Sequence, residues 1–179
     1  MELEVGFGNG VQRFTVPERN LQGVLTPNPV PHALTGEREV RRALSSPIGA
    51  PLLREVIHPG EKIAIITSDI TRPMPTYTVM PALLDELYAG GARPEDITLV
   101  FALGSHRAQT PEEMRHLAGE QAWAQIRCVD SDPADVVHLG VTSAGTPVDI
   151  TRVVAEADRR ICLGNIEYHL SLIHISEPT

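Results

Sequence analysis

Three short aliphatic runs, at residues 63–67, 97–103 and 161–163, constrain this chain more than any other feature. Each is too short for a buried helix and too uniformly apolar for a strand with one wet face. Runs of this kind suit parallel strands covered on both sides. Between the first two, Met80, Leu83, Leu84 and Leu87 recur at helical spacing, with Asp85 and Glu86 opposite and Gly90-Gly91 as the stop signal. Strand, helix and strand joined by short loops predict an α/β fold, with a mostly parallel sheet flanked by helices.

The flanking segments fill in the plan. Residues 2–16 read as an N-terminal β-hairpin, with Leu3, Val5 and Phe7 alternating with polar residues and Asn9-Gly10 as the turn. Residues 22–36, rich in Pro, Asn and Thr, predict an extended connection, and 37–44 and 51–57 predict short helices. Thr110-Pro111-Glu112-Glu113 has the capping-box pattern with proline at the first helical position. Residues 126–129 predict a further strand, and 136–150 a small hairpin broken by Ser143-Ala144-Gly145-Thr146. A length of 179 residues suits one ordinary domain, placed at 1–169.

Composition removes several function classes. Fifteen basic against 23 acidic residues give a net charge of −8, which disfavours a nucleic-acid partner. No apolar stretch is long enough to cross a membrane, and the acidic start Met1-Glu2-Leu3-Glu4 is unlike a secretory signal, so a cytoplasmic location is expected. Cys128 and Cys162 both sit in strand-like runs, which argues against a disulfide scaffold or a cysteine metal site. Aromatic residues are 4% of the chain, so the core has to rest on aliphatics. Lys62 is the sole lysine.

Residues 170–179, Leu-Ser-Leu-Ile-His-Ile-Ser-Glu-Pro-Thr, have neither helical stripe nor turn logic. The string resembles a conceptual translation of a transposon-based sequencing adapter. Natural sequence is therefore expected to stop near His169, leaving a non-native tail on a fragment.

In open α/β sheets, ligands bind beyond the carboxyl ends of the strands. The three aliphatic runs lead into Ser68-Asp69-Ile70-Thr71-Arg72-Pro73, Gly104-Ser105-His106-Arg107 and Gly164-Asn165-Ile166-Glu167-Tyr168-His169. If the strands are parallel, these loops share one rim holding a carboxylate, a guanidinium and two imidazoles. Asp69 taken alone is equally a turn residue bonding the backbone at Thr71. Arg72, on a stiff proline-marked loop, suits a carboxylate gripped by two hydrogen bonds. His106 and His169, each beyond a buried run, form a candidate acid/base pair. Gly104 and Ser105 offer backbone N–H groups to a phosphate and are candidate cofactor-binding residues, a weak signal with one glycine. His32, His58, His116 and His138 lack such context, and His174 falls in the suspect tail. There is no G-x-G-x-x-G fingerprint and no Walker loop.

Taken in order and spacing, these three motifs resemble the N-terminal domain of the nickel-dependent lactate racemase family over residues 1 to about 169. The resemblance implies a racemase or epimerase of 2-hydroxy acids working by reversible hydride transfer. It implies Arg72 on the substrate carboxylate, His106 and His169 as acid/bases on opposite sides of the substrate carbon, and Asp69 and Thr71 in the cofactor and substrate pocket. The implied cofactor is a nickel pincer nucleotide attached to a lysine. The stretch where that lysine belongs is the suspect tail, and the nickel-ligand histidine and C-terminal domain of the family are absent. The implied partners are a small 2-hydroxy acid and that missing domain. The alternative is a catalytically inactive fragment or anion-binding module that retains only the cleft rim. A metal-dependent nucleotide hydrolase is weaker, because no acidic cluster stands beside the histidines.

Overall fold

The computed structural model describes residues 1–26, 28–72 and 74–165. The second predicted imidazole, His169, and the segment 170–179 lie outside the described residues. The chain falls into two compact units, Met1–Ala33 and Leu34–Thr179.

The first unit carries β1 (Glu2–Phe7) and β2 (Gly10–Thr15), an antiparallel pair registered from Glu2↔Thr15 to Phe7↔Gly10. The turn is therefore Gly8-Asn9, one residue earlier than the Asn9-Gly10 expected. Gly10 is still paired, and the positive φ of +56° falls on Gly8, where a side chain would be strained.

The second unit is an α/β fold. Its elements are α1 (Glu37–Ser45), α2 (Leu53–Val56), β3 (Ile63–Ser68), α3 (Thr76–Ala89), β4 (Ile97–Ala102), α4 (Pro111–Ala118), α5 (Glu120–Gln125), β5 (Arg127–Asp130), β6 (Val136–Val141), β7 (Pro147–Thr151), α6 (Arg152–Ala155) and β8 (Arg159–Cys162). Four strands form one sheet in the order β5-β4-β3-β8, and every pair in it is parallel. The β6–β7 pair is a separate antiparallel hairpin. The three aliphatic runs thus share one parallel sheet, and the loops after them leave from one edge.

The core lies on the face of the sheet covered by α3, α4 and α5. There Ile63, Ile65, Leu99 and Phe101 pack with Met80, Leu84, Leu87, Leu117 and Ala122, all buried. Because α3 begins at Thr76, well before its first apolar stripe residue, Thr76 reaches back to the end of β3. Its hydroxyl lies 2.7 Å from that of Thr67, and both are buried. The two hydroxyls satisfy each other, so neither polar group is stranded in the core.

Strand β8 starts at Arg159, before the expected Ile161. The two arginines pair in register with Ile63 and Ala64 of β3. They are tolerated there because their guanidiniums are partnered, Arg159 with Glu61 at 2.8 Å and Arg160 with the carbonyls of Val154 and Ala155.

Candidate functional site

The site begins where β3 stops. Asp69 follows Ser68, the last residue of β3, and is 2% exposed. A carboxylate at such depth needs donors. Its Oδ1 accepts from the backbone N–H of Thr71 at 3.0 Å and from the Thr71 hydroxyl at 2.6 Å. Its Oδ2 accepts from His106 Nδ1 at 2.6 Å. Burial opposes ionisation of Asp69. Hydrogen bonds from the Thr71 side chain, from His106 and from the Thr71 backbone outweigh it and hold the carboxyl below the usual range.

His106 arrives from the next strand. Beyond β4 the backbone turns tightly, and His106 N–H donates to the carbonyl of Leu103 at 2.9 Å. Gly104 makes the turn possible with φ +57°. A second tight turn, with Arg72 N–H donating to the Asp69 carbonyl at 3.2 Å, shapes the loop after β3. The side chain of His106 is 44% exposed while that of Asp69 is 3% exposed. One edge of the ring is thus held by a buried carboxylate, and part of the ring is open to an incoming molecule. A carboxylate on Nδ1 leaves Nε2 of the neutral ring as the proton acceptor.

The predicted site residues are therefore placed as follows. Asp69, Thr71 and His106 form one hydrogen-bonded cluster, with Thr71 Oγ1 also 3.3 Å from His106 Nδ1. Arg72 is half-buried in the turn that starts at Asp69. Gly104 and Ser105 are exposed in the turn before His106.

Two residues of this network are not among those the sequence singled out. Gln109 is buried, and its Oε1 accepts from the N–H of Ile70 at 2.9 Å. Its backbone N–H and its Nε2 donate to the two oxygens of Asp130 at 2.8 and 2.9 Å. A polar residue just ahead of the Thr110 capping box is the only signal the sequence carried for Gln109. Arg107, from the same loop, grips both oxygens of Glu113 at 2.8 and 2.7 Å. That ion pair, with the N–H of Thr110, holds the Glu113 carboxyl down to about 2.

On the face of the sheet opposite α3, a cavity of about 500 Å³ opens between the strands and the β6–β7 hairpin. Ser68, Gly104, Ser131, Ile150, Val154 and Cys162 are among its walls. Gly104 thus borders both the cavity and the turn carrying His106. Among the described residues, no three His, Cys, Asp or Glu side chains gather closely enough to hold a metal. Lys62 precedes β3, at the opposite end of that strand from Asp69.

The fold is α/β, and the loops at the carboxyl edge of its parallel sheet set a buried carboxylate against a part-exposed imidazole. Residues 7–172 match the family model of the lactate racemase N-terminal domain, and the chain belongs to that family. It is 31% identical over 172 residues to a lactate racemase of Thermoanaerobacterium thermosaccharolyticum, covering 93% of this chain and 40% of that protein. It is 36% identical over 141 residues to a lactate racemase of Lactiplantibacillus plantarum, covering 76% of this chain and 32% of that protein. The solved structure of the lactate racemase apoprotein from T. thermosaccharolyticum superimposes with a TM-score of 0.78 at 30% identity, over 94% of this chain and 40% of that one. The chain thus spans less than half the length of the relatives it matches.

Proposed function

We propose that this chain supplies the carboxylate-binding and proton-handling side of a lactate racemase-like isomerase acting on 2-hydroxy acids. The observation that carries the reading is the 2.6 Å contact between His106 Nδ1 and the buried Asp69 carboxylate. It orients the ring, as an acid–base group requires.

In this reading, Arg72 holds the substrate carboxylate with its planar fork. The substrate hydroxyl faces His106, whose Nε2 takes the hydroxyl proton as the carbon–oxygen bond becomes a carbonyl. The same nitrogen returns the proton when the hydroxy acid re-forms. His169, which lies outside the described residues, is assigned the same task for the opposite enantiomer. Asp69 keeps His106 in the tautomer that leaves Nε2 free, and Thr71 satisfies the other oxygen of Asp69.

The family's nickel nucleotide supplies hydride transfer. The described residues do not fit it as anchors, because they gather no metal-holding cluster and the one lysine lies at the far end of β3. Their part is the substrate carboxylate and the hydroxyl proton. Among the described residues, no helix is long and apolar enough to cross a membrane. A cytoplasmic site of action remains part of the proposal.

The test compares this chain with one extended by the remainder of the family's length. Interconversion of L- and D-lactate, then of other 2-hydroxy acids, is followed with nickel and the activated cofactor supplied. The extended chain is expected to turn over and the 179-residue chain to be inactive. In the extended enzyme, His106→Ala should lower kcat by about 10²–10⁴-fold. Arg72→Lys should act mainly on KM, since an ammonium cannot reproduce the two-point grip. Turnover by the 179-residue chain, or none by the extended one on any 2-hydroxy acid, would sink the reading.

A further inference from the structure

We infer that Gln109 and Asp130 are positioning residues that hold Asp69 in register with His106, an inference that rests on reading His106 as an acid–base group oriented by Asp69. Asp69 and His106 belong to different loops, one after β3 and one after β4. Gln109 sits in the second loop, three residues beyond His106, and reaches the first. Its Oε1 takes the N–H of Ile70, the residue that follows Asp69, at 2.9 Å. Its own place is set from β5, whose last residue is Asp130. The two Asp130 oxygens accept from the backbone N–H and the Nε2 of Gln109 at 2.8 and 2.9 Å. One side chain thus ties together the carboxyl ends of three successive sheet neighbours, β3, β4 and β5.

The donor pattern leaves this amide one orientation. A carboxylate only accepts, so the Gln109 NH₂ has to face Asp130 and its carbonyl has to face the Ile70 N–H. Reversing the amide would set oxygen against carboxylate and NH₂ against N–H. Gln109 is 8% exposed, so water is a poor substitute for either partner. The clamp therefore sets where the Asp69 loop lies relative to the His106 loop. Acid–base chemistry needs that setting, because hydrogen-bond reach spans only about 2.6–3.2 Å.

The experiment reads the tautomer of His106 from its ring nitrogen shifts by NMR in the ¹⁵N-labelled 179-residue chain. The wild type is expected to hold the neutral ring as the Nδ1–H form, by roughly tenfold, given a hydrogen bond to a charged acceptor. Gln109→Leu and Gln109→Glu should each abolish that preference in folded protein. The double variant Gln109→Glu/Asp130→Asn should restore it. There the introduced carboxylate accepts from Ile70 N–H and from the introduced amide, whose oxygen takes the backbone N–H of position 109. A merely structural role would move the melting temperature and leave the tautomer alone. If Gln109→Leu does not fold, Gln109→Glu and the double variant decide. A retained Nδ1–H form in folded Gln109→Glu, or a double variant no better than that single one, overturns the inference. An Nε2–H form in the wild type overturns the underlying Asp69–His106 reading itself, and the inference with it.

Discussion

Each oxygen of Asp69 has a separate duty, one closing a turn on Thr71 and the other holding His106. From sequence, the turn on Thr71 was one of two readings of Asp69, and the bond to His106 was not foreseen. Asp69, Thr71 and His106 were legible because each lies in the loop that follows a strand-like run. Gln109 and Asp130 were not, since the partners lie 39 and 21 residues apart and no local pattern joins them. The depressed Asp69 carboxyl makes a stability prediction. A carboxyl whose folded value is lowered stabilises the fold fully above its unfolded value, near 3.9, and loses that contribution as pH falls through the folded value. The stability difference between wild type and Asp69→Asn should thus be largest above about pH 4 and shrink at lower pH. Glu113, held down by Arg107, loses stabilisation in the same acid range, but equally in both proteins. Urea denaturation across a pH series measures the difference. A gap that widens on acidification would contradict the assigned sign.

At the scale of elements, the sheet was readable because its two central strands, β3 and β4, are short, mostly aliphatic and largely buried, a pattern that suits a covered parallel strand. What the pattern concealed was polar. Arg159 and Arg160 open β8, and their partners come from Glu61 and from the carbonyls of Val154 and Ala155, none of which marks a strand locally. The hairpin slipped by one residue because Gly8 and Gly10 flank Asn9 symmetrically, and only the register decides between them. The start of α4 was legible to the atom. Thr110 Oγ1 accepts from Glu113 N–H at 3.2 Å, and Glu113 returns a bond to Thr110 N–H at 2.9 Å. Thr110→Ala should therefore cost about 1 kcal/mol in chemical denaturation. Gly119, which joins α4 to α5, predicts a second loss. Its φ is +77°, and a Cβ there would stand 3.1 Å from the Cβ of Tyr77. Gly119→Ala should lower the denaturation midpoint, and an unchanged midpoint would contradict the close packing of that junction.

At the scale of the whole molecule, stability is shared unequally between the two compact units. Among the described residues, the apolar cluster that forms the core runs from Leu44 to Leu163. The unit Met1–Ala33 has instead the two-stranded β1–β2 ladder, closed by the Met1 ammonium donating to the Val16 carbonyl at 2.8 Å. Its apolar side chains Val5, Phe7 and Phe14 are exposed. A lone two-stranded hairpin is marginal in water, whereas a parallel sheet packed against helices carries its own cooperative core. Cutting the chain before Leu34 should therefore leave the second unit folded. Its melting temperature should fall by no more than about 4 °C, the shift that roughly 1 kcal/mol produces in a chain of this size. The His106 ring signals should stay where they are in the whole chain, because Asp69, Thr71, Gln109 and Asp130 all belong to the second unit. A peptide of residues 1–33 should show no cooperative melting by circular dichroism. Loss of cooperative unfolding in the shortened protein, or a displaced His106 signal, would mean that the N-terminal unit is needed to form the site.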